Sequence, residues 1–123
     1  MKQKISAFLL GLFLFSATSQ AGTPHYISIT SSNKMDTRWS AYADLYDGKG
    51  HRVYHWQETD HKAGDSIHWN YTDGGDGGWV HIWIDPSPSQ RFPYLTQTLK
   101  TNHCYNITEP QLGFFSKVET VQC

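Results

Sequence analysis

The sequence predicts an all-β domain: an antiparallel two-sheet β-sandwich of immunoglobulin-like proportions, with one disulfide near its C-terminus. Three observations predict it. Short runs of alternating apolar and polar residues recur with turn residues between them, and no stretch carries a persuasive helical period. Removing an N-terminal export signal leaves 102 of the 123 residues, the size of one domain with room for seven or eight strands and a single core. The only two cysteines, Cys104 and Cys123, lie close together at the C-terminal end. That placement excludes the Cys-Trp-Cys signature of immunoglobulin domains proper, so only the proportions are shared.

The export signal is read from Met1 to Ala21. Lys2 and Lys4 give the positive start, the run from Phe8 to Phe15 the apolar centre, and Ser19-Gln20-Ala21 the small residues preceding cleavage. The run is about half the roughly 20 apolar residues a transmembrane anchor requires. The expected mature chain, 22–123, is therefore secreted or periplasmic. In that oxidising setting Cys104 and Cys123 are expected to pair, closing a ring that contributes about 3 kcal/mol in the chain-entropy account.

The strands follow in order as Tyr26 to Thr30, Arg38 to Tyr46, Val53 to Glu58, Ser66 to Tyr71, Trp79 to Ile84, Tyr94 to Thr101, Cys104 to Thr108 and Phe115 to Val121. Turn-forming segments separate them, among them Asp47-Gly48-Lys49-Gly50, the stretch from Asp60 to Asp65, the glycine-rich run from Asp73 to Gly78, and Asp85-Pro86-Ser87-Pro88. Sequence does not fix the order of the strands in the sheets.

Strand parity sorts residues by face. Val80, Ile82 and Ile84 form the aliphatic side of the fifth strand and are assigned to the core, which turns Trp79, His81 and Trp83 outward. In the second strand, Trp39, Ala41, Ala43 and Leu45 oppose Ser40, Tyr42, Asp44 and Tyr46, and the more polar side again carries two aromatics. In the third, Tyr54, Trp56 and Glu58 oppose Val53, His55 and Gln57, and either side can be the core. The expected binding face is Tyr42, Tyr46, Trp79, His81 and Trp83, because flat aromatics on a sheet offer large contact area at little entropic cost. Cross-strand aromatic pairing, or a covering loop such as Asp85 to Pro93, would explain the same pattern without a ligand.

Charge excludes other partners. The mature chain keeps 8 basic residues against 11 acidic ones, and the basic ones are scattered, which argues against nucleic acid or an anionic membrane surface as an electrostatic partner. Seven histidines raise a metal-binding alternative, with His51, His55 and His61 close in sequence and His55, His68 and His81 able to meet if their strands pair suitably. His51 and His55 lie about 13 Å apart on an extended strand, too far to chelate one ion without a bend. The run from Asp73 to Gly78 has the carboxylates and pliant backbone a calcium ion takes, without the spacing of a helix-loop-helix site. No catalytic or cofactor motif is present, so neither enzymatic activity nor a cofactor is expected. Asn70-Tyr71-Thr72 and Asn106-Ile107-Thr108 are glycosylation sequons only in a eukaryotic host. The expected function is a non-catalytic binding domain that recognises a protein partner or a glycan. The alternatives are a histidine-rich metal-binding protein and a secreted effector or toxin acting on another cell.

Overall fold

A computed structural model of the chain describes residues 22–92, 94–109 and 116–123. The expected signal segment, Met1 to Ala21, lies outside the described residues, as does Phe115 at the expected start of the last strand. The described residues form eight strands: β1 (Thr23–Ser31), β2 (Trp39–Tyr46), β3 (Arg52–His61), β4 (Ser66–Asp73), β5 (Trp79–Asp85), β6 (Leu95–Thr98), β7 (His103–Thr108) and β8 (Lys117–Val121). They divide into two four-stranded sheets, β4-β1-β7-β8 and β3-β2-β5-β6. This is the sandwich the alternation predicts.

Every pairing is antiparallel except β1 with β7, which run parallel with Ile27 opposite His103 and Ile29 opposite Tyr105. The chain crosses between sheets four times, after β1, β3, β4 and β6, and the last crossing brings β7 alongside β1 in the same direction. Parallel neighbours need such a long connection, whereas a hairpin would force the opposite direction.

The core lies between the sheets. β1, β4 and β7 contribute Ile27, Ile29, Ile67, Trp69, Tyr71, Tyr105 and Ile107, and β2 and β5 contribute Trp39, Ala41, Ala43, Val80, Ile82 and Ile84. Ala41 and Ala43 keep the centre of β2 thin, so that the larger side chains opposite can reach the second sheet. Trp39 is buried but keeps its polar atom satisfied: its Nε1 donates to Ser31 Oγ at 3.0 Å, with the Lys62 carbonyl at 3.3 Å.

β3 resolves the ambiguous face. Tyr54, Trp56 and Glu58 align with Leu45, Ala43 and Ala41 on the inner side, and Trp56 stacks on Trp69 of the other sheet with centroids 5.8 Å apart. His55 and Gln57 face outward beside Asp44 and Tyr42. β3 also runs past the expected Glu58 to His61, because a register shift between Ala41 and Trp39 accommodates extra residues there and Asp60 takes a φ of 59°. β6 is shorter than expected: Leu99 leaves the ladder and turns into the core.

Two loops pack against each other at the end of β2. A side chain on Gly48 would run into the Asp76 backbone carbonyl, and one on Gly78 into that of Tyr46. Glycine at these two positions is what lets the glycine-rich segment lie across the β2–β3 turn.

Cys104 and Cys123 are bonded, with Cα atoms 5.4 Å apart, tying the last residue to β7. Intact-mass measurement of the native protein with and without reductant is expected to show one disulfide and no free thiol. Two free thiols in the native protein would contradict this.

Candidate functional site

The outer face of β3-β2-β5-β6 gathers the expected aromatic residues through register alone. Tyr42 lies opposite Trp83, Asp44 opposite His81 and Tyr46 opposite Trp79. Two of these rows are aromatic pairs: Tyr42 and Trp83 stack with centroids 5.4 Å apart at 18°, and Tyr46 and Trp79 at 5.5 Å and 16°. Such pairs contribute about 0.5–1.5 kcal/mol beyond area burial, so they also stabilise the sheet. All five expected residues remain partly exposed, while their neighbours Val80, Ile82 and Ile84 are buried.

The row between the aromatic pairs is polar: His81 was expected on this face, whereas the pairing of Asp44 with His55 and Arg52 was not. Asp44 is only 8% exposed, and its Oδ1 accepts from His55 Nδ1 at 2.6 Å and from Arg52 Nη1 at 3.3 Å. A buried carboxylate is retained where such partners satisfy it. The second ring nitrogen of His55 lies 3.3 Å from Gln57 Oε1. On the other side of the row, His81 packs against Tyr46 at 5.0 Å and against Tyr94 at 4.4 Å. Tyr94 is 58% exposed.

The segment after β5 flanks this face instead of sealing it. Arg91 returns to Asp85 in a two-pronged pair, Nε to Oδ1 at 2.9 Å and Nη2 to Oδ2 at 3.0 Å. The hydrogen bond and charge of Asp85 raise the Arg91 guanidinium pKa above its ordinary value. Trp83, Arg91, Phe92 and Tyr94 then line an open groove of about 590 Å³. Trp83 is thus held against Tyr42 and also forms a groove wall. A smaller groove of about 290 Å³ sits between β3 and β4, where Trp56 and Tyr71 continue it into the core.

Most of the other histidines are engaged elsewhere. His51 pairs with Asp47, His25 with Asn102, and His103 with the Thr98 carbonyl; His68 stacks on Tyr26 in the opposite sheet, away from His55 and His81. Among the described residues no group of three or more His, Cys, Asp or Glu side chains converges to hold a metal ion. In the glycine-rich loop, Asp73 accepts from the Gly75 amide and Asp76 from the Gly48 amide.

His61 makes the most connected charge cluster away from the aromatic face. It stacks on Trp39 at 4.9 Å, and its ring nitrogens reach Asp65 at 2.9 Å and Glu58 at 2.8 Å. Partial burial lowers its pKa, but the hydrogen bonds and charges of Asp65 and Glu58 outweigh that and leave it raised. The hydrogen bond from His61 in turn lowers that of Asp65. A raised folded pKa contributes stability that is complete below the unfolded value of about 6.5 and is lost as pH rises through the folded one. The stability difference between the native protein and His61→Gln is therefore expected to shrink toward alkaline pH. Denaturant midpoints across that range check it, and a difference that grows would contradict it.

The chain matches no protein-family profile and no curated protein. Among solved structures it is similar to a non-hemolytic pneumolysin from Streptococcus pneumoniae strain ST306, at 14% identity and a TM-score of 0.46, over 81% of this chain and 24% of that one. It is similar to listeriolysin O at 13% and 0.37, over 81% and 22%. The membrane-binding domain of pneumolysin is matched at 14% and 0.33, over 81% of this chain and 97% of that one. The chain thus spans about a quarter of the full-length toxin chains. Among the described residues no helix is long and apolar enough to cross a membrane.

Proposed function

We propose that this chain is an exported, non-catalytic domain that binds a glycan on the outer face of β3-β2-β5-β6. The observation that carries the reading is the pair of stacked Tyr–Trp rows on one partly exposed sheet face, with Trp83 also walling an open groove. A pyranose ring has C–H groups on its face and hydroxyls at its rim. Aromatic surfaces take the first, and polar groups such as Asp85, Arg91 and the Asp44–His55 pair take the second. The disulfide supports the exported, oxidising setting that the signal-like N-terminus predicts. The metal-binding alternative has no converging ligand set to support it among the described residues.

A glycan array probed with the mature protein and with Trp83→Ala tests the reading. The expected result is binding to a set of glycans that Trp83→Ala loses while keeping the native circular dichroism spectrum. No binding to any glycan, or equal binding by the variant, would overturn it. Binding to a purified protein partner alone would move the face to the protein-recognition alternative.

A further inference from the structure

The aromatic rows lie at separate places along the strand, and that spacing bears on the size of the ligand. Trp79 and Trp83 are four residues apart on β5 and point to the same side, which at strand rise puts them about 13 Å apart. One sugar ring cannot touch both. The interval is filled by the polar row, with His81 on β5 and the Asp44–His55 pair beside it. The order along the face is therefore aromatic, polar, aromatic.

Charge narrows the chemistry. The charged side chains on the polar row and beside Trp83 are paired: Arg91 with Asp85, and Arg52 and His55 with Asp44. A carboxylated or sulfated sugar over the polar row or at Trp83 would have to break one of these pairs to gain a cation, which costs more than it returns where Asp44 is left buried. A neutral sugar needs only hydrogen bonds from groups whose charges are already balanced. Rings with all substituents equatorial expose only C–H groups on their faces, the surface that Trp79 and Trp83 can accept.

Building on the proposed function, we infer that the ligand is a neutral, cellulose- or chitin-type oligosaccharide of at least three units lying along β5. The end rings sit at Trp83 and Trp79, and the middle ring sits over His81 with its hydroxyls toward Asp44 and His55. Joining the rings in one chain makes each further contact intramolecular, so affinity rises with length until both tryptophans are covered.

Calorimetric titration of the mature protein with glucose and cello-oligosaccharides, and with N-acetylglucosamine and chito-oligosaccharides, up to the tetrasaccharide, tests this. The expected result in one of the two series is a gain of about tenfold or more from monosaccharide to trisaccharide, then a plateau. Trp79→Ala is expected to remove that gain while monosaccharide binding at Trp83 persists, and Trp79→Phe to restore part of it. Equal affinity for monosaccharide and tetrasaccharide would overturn the extended site and leave a single-ring glycan site standing. Tighter binding of oligogalacturonate than of either neutral series would overturn the neutral assignment. No binding of any saccharide would overturn the proposed function itself, and this inference with it.

Discussion

Ile82→Ala is expected to destabilise the protein by about 2–5 kcal/mol, the range for truncating a fully buried aliphatic side chain and leaving a cavity. Ile82 is completely buried between the sheets, and Val80 beside it equally so. Trp83, one residue further along β5, points to the opposite side and is only partly buried. Trp83→Ala loses its stacking on Tyr42, about 0.5–1.5 kcal/mol, together with the area it hides on the outer face, but opens no cavity between the sheets. The smaller aliphatic residue should therefore matter more to folding than the larger aromatic one. Denaturant midpoints of the two variants, compared at matched slopes, give the order directly. A larger loss for Trp83→Ala would mean that the aromatic side of the sheet is structural.

The double change Tyr42→Ala and Trp83→Ala is expected to weaken glycan binding by about a hundredfold or more, because a few aromatic anchors usually carry most of an interface's energy. Folding should survive, since both side chains lie on the outer face. His51→Ala and His61→Ala are expected to leave binding unchanged: the first sits at the β2–β3 turn on Asp47, the second at the end of β3 between Glu58 and Asp65. His55 is different, because its pairing with Asp44 puts it in the polar row. Calorimetric titration of these variants with the glycan bound by the native protein measures the contrast. Loss in the His51 or His61 variants with full binding by the double aromatic variant would reverse the assignment.

Much of this arrangement was legible in the sequence. The alternation in Trp79 to Ile84 separates a fully aliphatic side from an aromatic one, so strand parity alone assigned Val80, Ile82 and Ile84 inward, as the burial pattern bears out. β2 was read the same way, and its pairing with β5 then brings Tyr42 to Trp83 and Tyr46 to Trp79. β3 resisted, because Tyr54 and Trp56 on one side and Val53 and His55 on the other give no clean amphipathic contrast. Its inner side is chosen by contact with Trp69 across the sandwich. The parallel pairing of β1 with β7 was equally out of reach, since side-chain alternation is the same whichever way a neighbour runs. The parts of the site that sequence missed come from other segments. Arg91, Phe92 and Tyr94 lie outside the regular strands and reach Trp83 only because the segment after β5 folds back, held by the pair between Asp85 and Arg91. Asp44 carried a usable signal, since it shares parity with Tyr42 and Tyr46. A carboxylate between two aromatics on one strand face points to a polar partner on a neighbouring strand, and His55 is that partner.

The central claim is that ligand engages the outer face of β3-β2-β5-β6. Its most direct test is a nuclear magnetic resonance titration of isotope-labelled residues 22–123 with a saturating cello- or chito-oligosaccharide. The largest shifts are expected on the indole N–H groups of Trp79 and Trp83 and on the amides of Tyr42, Asp44, Tyr46 and His81, with β1, β4, β7 and β8 undisturbed. Shifts confined to the β4-β1-β7-β8 sheet or to the groove between β3 and β4, or no shifts at all, would contradict it.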